Sequence, residues 1–265
     1  MIRALAVCAV VFIACKGEPR ATTEEPPVEK PPATPPIEVP PEVLDSPPPP
    51  APAAPTGPAR ALLIAEGGAW VAAEGKEPKK VAVTKEGIDT AALGMELDLL
   101  QSAASGTRLD IAAEDRVRYQ EIVTAMDTAL AKGMTAVSLV SPGELPVKLP
   151  PAGTKAPARC ADGAMKGGAR PAEGASAPIA TLPIVIVMKD GSGSFAGTDG
   201  TKTEFAAAKG CEPTIPAMLE WLEAGTHKAI IVQADREATA AMIHRVVRTA
   251  QAAGATDVLF AVKRQ

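Results

Sequence analysis

The sequence predicts an α/β chain of the two-layer α+β kind. One β-β-α-β-α-β unit occurs twice in tandem, each copy a small sheet with two helices on one face. Three observations predict it. Residues 109–140 superpose on residues 230–261 without a gap at a shift of 121 positions. In each copy an apolar run ends in a small residue and an acid, Ala113-Glu114 or Ala234-Asp235; an amphipathic stretch follows, closes on Gly133 or Gly254, and leads into a β-rich run. The turn glycine Gly68 precedes Leu109 by 41 residues and Gly191 precedes Ile230 by 39, so the likeness extends upstream. A fixed-offset self-match sets the architecture before any element is assigned.

The chain opens with an export signal. Arg3 supplies a positive charge, and Ala4–Ala14 is an uninterrupted apolar run, far shorter than the roughly 20 residues that span a bilayer. It reads as the h-region of a secretory signal. Cys15 ends the run, after the small Ala14 and before polar Lys16-Gly17-Glu18. This resembles a bacterial lipoprotein signal, whose cysteine becomes lipid-modified and is the first mature residue. Phe12 and Ile13 depart from the Leu and small residue usual in such signals. Residues 1–15 are thus expected to be a lipoprotein-type signal peptide with lipid attachment at Cys15, which would tether an exported, periplasmic chain to a bacterial membrane. The alternative is a plain secretory signal; Cys8 lies too early to leave a working h-region.

Residues 16–58 form a linker. Sixteen of the 27 prolines fall between Pro19 and Pro58. Proline fixes φ and removes backbone donors, which argues against helix or central strand here and favours an extended, disordered spacer. At about 3.1 Å per residue, some 40 residues would reach on the order of 100 Å.

The first unit, 59–141, begins with Ala61–Ala65 and Ala69–Ala73, a hairpin about Glu66-Gly67-Gly68. Lys80–Thr84 is a further extended piece. Thr90 to Ala104 is helical, capped by Asp89 or Thr90. Arg108–Ala113 is a strand. Arg116–Lys132 is the strongest helix: Val117, Ile122, Val123, Met126, Ala129 and Leu130 form one face, and Arg118, Glu121, Thr124, Asp127, Thr128 and Lys132 face out. Gly133 suits the position after the helix, and Ala136–Val140 closes the unit. Residues 142–180, rich in proline and glycine, read as an interdomain linker. The second unit, 181–265, repeats the order: strand Leu182–Met188, turn Lys189-Asp190-Gly191, return Ser194–Gly197, helix Pro213–Ala224, strand Ala229–Gln233, helix Arg236–Ala253 and strand Asp257–Val262. Two cysteines lie in the body of the chain, Cys160 and Cys211. In an exported protein an even pair suggests a disulfide, closing a loop of about 50 residues worth roughly 3–4 kcal/mol. The alternative is two free thiols.

The segment IAAEDRVRYQEIVTAMDTALAKGMTAVSLV resembles the C-terminal half of the periplasmic domain of the ExbD/TolR biopolymer-transport family. That family shows an apolar strand, Ala-Asp, a Tyr five residues after the acid, a Val/Met-rich helix, Ala-Gly and a Val-rich strand. Glu114 stands at the acid position with Tyr119 five residues on; in the second copy Asp235 is the acid and Ala240 replaces the tyrosine. The family carries a membrane helix with an aspartate implied in proton coupling, whereas the apolar run here contains no acid. The resemblance therefore implies the exported domain alone, present twice, contacting peptidoglycan or an envelope transport-complex protein. In the family that domain often works as a dimer, which implies an intramolecular pseudo-dimer here. Glu114, Tyr119 and Asp235 are its candidate partner-binding residues.

The composition excludes several functions. No basic run accompanies the net charge of −4, which argues against nucleic acid. The two histidines, His227 and His244, have no cysteine spacing that fits zinc. Gly191-Ser192-Gly193-Ser194 is not a nucleophile elbow, and Gly197-Thr198-Asp199-Gly200-Thr201-Lys202 lacks the order of a phosphate loop. Glu114 and Asp235 also read as helix N-caps. No nucleophile, base and orienting group assemble, so the expectation is a non-enzymatic module without cofactor. The alternatives are a structural scaffold or spacer of an envelope machine binding only protein, and an unrecognised periplasmic enzyme.

Overall fold

The computed structural model describes residues 59–102, 108–150, 165, 168–172, 181–198, 200–207, 212–225 and 227–261. The chain divides into two units, Met1–Ala51 and Pro52–Gln265, and every described residue lies in the second. The fold class is the α+β two-layer one expected. In the first half, β1 (Arg60–Ala65) and β2 (Gly68–Ala73) form the hairpin, and β3 (Lys79–Val81) adds to its edge. A two-stranded ribbon follows, β4 (Val83–Thr84) with β5 (Gly87–Ile88). Helix α1 (Thr90–Ser102) carries the chain to β6 (Arg108–Ala113), parallel to β1, and helix α2 (Tyr119–Ala131) to β7 (Ala136–Leu139), parallel to β6. Parallel neighbours need such crossovers. The sheet order is β3-β2-β1-β6-β7.

The short strand β8 (Arg170–Pro171) precedes the second half. That half comprises β9 (Ile184–Val187), β10 (Gly193–Ala196), β11 (Lys202–Phe205), α3 (Pro216–Gly225), β12 (Ala229–Ala234), α4 (Ala240–Ala252) and β13 (Asp257–Phe260). Its order, β11-β10-β9-β12-β13-β8, matches the first sheet with β8 added. The edge strand β11 was not foreseen; its residues fall after Gly197–Thr201, where polar turn residues hide a short alternating Lys-Thr-Glu-Phe run.

Within each helix only part of the apolar content is buried. In α1, Leu93 and Leu97, one turn apart, are fully buried, whereas Met95 and Leu99 are exposed. Helical geometry puts i and i+4 on one face and i+2 on the other. Asp89 caps α1 through Oδ1, which accepts the Ala92 N–H at 2.9 Å. Both α2 and α4 end on a left-handed glycine, Gly133 at φ +79° and Gly254 at φ +86°, a backbone region costly for residues with a Cβ. One apolar cluster runs through both halves between sheets and helices. The Tyr119 and Phe260 rings meet across the junction, centroids 5.9 Å apart and tilted at 57°.

Residues expected as an interdomain linker are partly docked. After β7 a single 3-10 turn, Pro142–Glu144, is closed by a capping box between Ser141 and Glu144. Leu145 and Leu149 then pack on Leu63, Ala112 and Val140, on the sheet face away from the helices. Further on, Ala169 exchanges both backbone hydrogen bonds with Leu139 (2.6 and 2.9 Å), while Arg170–Pro171 pairs with β13, so this segment joins the edges of the two sheets. Gly168 makes the approach possible: its φ is +65°, and a Cβ there would lie 2.6 Å from the Leu139 carbonyl oxygen. Proline-rich composition argued against regular structure, yet an extended chain with spaced leucines can still lie on an apolar face.

Candidate functional site

The two halves meet where each strand turns into its long helix. The helix after β6 was expected from Arg116, but α2 begins at Tyr119, because Val117 and Arg118 run extended against the other half. Arg118 bridges Thr239, its own counterpart at the 121-residue offset. The Tyr119 N–H donates to Ala238 O (2.7 Å) and the Ala240 N–H to Val117 O (2.7 Å). The Gln120 N–H donates to Arg236 O and the Ala241 N–H to Asp115 O, both at 3.1 Å. Every bond has its mate under exchange of the halves, the pattern of a two-fold, isologous contact. The first N–H groups of a helix have no partner within it. Here the first two N–H groups of each helix are satisfied by carbonyls of the turn that precedes the other helix, and neither N-cap residue, Arg118 or Thr239, caps through its side chain.

This corrects the N-cap reading of Glu114 and Asp235. Both lie four residues or more before the helices, in matching turns. The Glu114 N–H donates to Ile64 O (2.9 Å) and the Asp235 N–H to Val187 O (2.8 Å). Their carbonyls accept from Val117 and Ala238 at 2.9 Å, and Asp235 Oδ1 accepts the Glu237 N–H at 2.8 Å. Glu121, expected on the outer face of the helix, is buried. Its Oε2 accepts the Ile88 N–H at 2.7 Å, and it pairs with Arg118, whose pKa it raises through that hydrogen bond against the opposing effect of burial.

Tyr119 is buried, packed on Phe260, and lines a groove of about 890 Å³ between α2 and the end of β12. The groove joins Gln120, Thr124 and Asp127 from α2 with Gln233 and Arg236 from the second half; Val123 and Leu130 add apolar surface. The Tyr119 hydroxyl has no hydrogen-bond partner among the described residues. Burial raises its pKa, and the Asp127 carboxylate adds to the effect. Of the three candidate partner-binding residues, Tyr119 alone lines the groove; Asp235 contributes its chain neighbours Ala234 and Arg236, and Glu114 lies apart. Gln120, Asp127, Gln233 and Arg236 carried no local signal, because the groove exists only where segments more than 100 residues apart meet.

The corresponding positions in the other half are not copies. Ala240 stands for Tyr119, His244 for Val123, Arg245 for Thr124 and Arg248 for Asp127. Arg245, largely buried, donates to Thr214 O and pairs with Glu212. The charges are inverted as well: Asp115 stands where Arg236 does, and Arg248 where Asp127 does. Burial lowers the pKa of Arg248, opposed by the attraction of Asp115.

His244 is fully buried on α4, and the His227 ring packs against Trp221 with centroids 4.9 Å apart and tilted at 34°. Among the described residues no cluster of three or more His, Cys, Asp or Glu is placed to hold a metal ion, and no helix is long and apolar enough to cross a membrane. Cys15, Cys160 and Cys211 lie outside the described residues. The groove offers amide, hydroxyl, acidic and basic groups over an apolar floor, a set suited to holding a polar chain by hydrogen bonds. No protein-family model matches the chain, and no curated protein does.

Proposed function

We propose that this chain is a non-enzymatic cell-envelope lipoprotein, exported and anchored at Cys15. Its two ExbD/TolR-like halves would bind an envelope transport-complex protein or peptidoglycan. The observation that carries the reading is the groove at the junction. It is formed on α2, the helix within the segment that resembles the family, and it presents Gln120, Asp127, Gln233 and Arg236 beside Tyr119. An acid and a base on opposite halves suit a ligand bearing both charges, as peptides and peptide-substituted glycans do.

The fragment 59–265, which spans the described unit, is the reagent for the test. Incubated with purified cell-wall sacculi or with detergent-solubilised envelope proteins, it is expected to be enriched on one of them, and Asp127→Arg with Arg236→Glu to abolish that enrichment. No enrichment over an unrelated domain on either target removes the reading. Co-purification of the native lipoprotein separates cell-wall binding from a scaffold that contacts protein alone. Cys15→Ser is expected to move the chain from the membrane to the soluble fraction. Reduction is expected to shift its gel mobility through a Cys160–Cys211 disulfide, a shift that Cys160→Ser abolishes.

A further inference from the structure

The sheet face turned away from the helices is dressed differently in the two halves. In the first, Leu63 pairs with Ala112 across β1 and β6, and Leu145 and Leu149 cover both. In the second, the matching pair is Ile186 with Gln233 across β9 and β12. Ile186 is 38% exposed; Ile184 on the same face of β9 and Met188 just past its end are 36% and 49% exposed. Leu182 and Ala172 pack on the adjoining row of Ile231 and Leu259. The row of Ile186 continues through Ser194 to Glu204, and that of Ile184 through Ala196 to Lys202, so charges of both signs border the apolar surface.

The chain itself shows what such a face accepts. Its cover in the first half is Leu145-Pro146-Val147-Lys148-Leu149, two leucines four positions apart, spaced by a proline and a charged residue. Glu144 holds the start of the segment by accepting the Ser141 and Met165 N–H groups at 3.2 and 2.9 Å. Proline limits the freedom lost on docking and removes a donor that an apolar face could not satisfy.

We infer that the surface around Ile186 is a docking site for a proline-spaced aliphatic peptide segment of a partner protein, of the chemistry of Leu145–Leu149. The site meets the groove only at Gln233, and its apolar residues Ile184, Ile186 and Met188 do not line the groove, so either assignment can fail without the other.

The probe is a fluorescent synthetic peptide copying residues 144–150, Glu-Leu-Pro-Val-Lys-Leu-Pro, titrated into the full chain with anisotropy as the readout. Saturable binding is expected. Ile186→Glu is expected to weaken it by more than about tenfold, since that contact loses a buried aliphatic side chain. Amide shift mapping of the wild-type chain guards against a variant that fails to fold, and peptide-induced shifts are expected at Ile184, Ile186 and Ser194, none of which lines the groove. Shifts confined to Leu63, Ala112 and Val140 would mean that the peptide only displaces the chain's own cover, and would overturn the proposal. So would the absence of binding. Binding that appears only after residues 16–58 are deleted would assign the face to the chain's own proline-rich segment. Self-association abolished by Ile186→Glu, without peptide binding, would assign it to a second copy. Either outcome refutes the partner assignment.

Discussion

Ala240→Pro tests the junction between the halves with a single substitution. Ala240 is the first residue of α4, a position where proline is ordinarily welcome, because its fixed φ suits the helix and the lost N–H is one the helix leaves unpaired. The chain already begins α3 with Pro216. Thr239 has φ −87° and ψ 154°, the extended conformation that a residue before proline adopts. By local rules the change should be neutral, or stabilising by about 0.4–1 kcal/mol through the unfolded state. In this fold, however, the Ala240 N–H donates to Val117 O at 2.7 Å, and Val117 is buried. Proline removes the donor, orphans a buried carbonyl and places ring carbons against it. Orphaning such a group costs about 1–3 kcal/mol, with crowding adding to it. The expected result is therefore a loss of at least about 1 kcal/mol in urea unfolding with unchanged m, and a drop of about 2–4 °C per kcal/mol in Tm for a unit of this size. Stability equal to or above wild type would show that the exchange is not made in solution, and the two-fold reading of the junction would fall with it.

Three further outcomes follow from the same geometry. Tyr119 is the single tyrosine of the chain, so phenolate absorbance reports on it alone. Because burial raises its folded pKa, its contribution to stability is full below the unfolded value of about 10 and is lost as pH rises beyond that. Alkaline titration should show no phenolate until the protein unfolds, and Tyr119→Phe should flatten the fall in stability above about pH 10; a normal titration in the folded state would contradict the burial. Glu121→Leu leaves the Ile88 N–H without its acceptor and Arg118 with only its longer contact to Glu237, and should cost about 2–4 kcal/mol in chemical denaturation. Gly168→Ala meets both an unfavourable φ and the Leu139 carbonyl; it should lower Tm by several degrees and speed proteolysis near residues 165–172, and unchanged protection there would show that the segment does not join the sheets.

The succession of strands and helices was legible because the self-match repeated it and because apolar runs ended at recognisable turns. The strand over Arg108–Ala113 agrees with expectation to the residue. The helix over 116–132 was right in type and wrong in start, since Val117 O accepts the Ala240 N–H and Arg118 bridges Thr239, a contact no local pattern encodes. Glu121 illustrates the limit of periodicity. An acid on a helix reads as solvent-facing, and the Ile88 N–H of the β4–β5 ribbon together with the Arg118 guanidinium offsets the cost of its burial. The docked residues 141–149 were hidden by composition, because prolines that mark a linker also permit an extended cover over Leu63 and Ala112. Tyr119 was singled out through the resemblance, but its groove partners Gln233 and Arg236 could not have been, for they come from the other half.

Joining the two halves in one chain has a consequence for the site. A two-fold contact between separate identical subunits makes two identical grooves and a stability tied to concentration. In a single chain the contact is intramolecular, and the copies are free to differ. They have differed at the positions around the junction: tyrosine against Ala240, Asp127 against Arg248, Arg236 against Asp115. The backbone exchange that holds the halves together involves no side chain, so these positions could change without loosening it. The same separation applies on the outer faces, where Leu63 is covered and Ile186 is open. Symmetry thus supplies the frame, and its local violations locate the surfaces on which a ligand would be read.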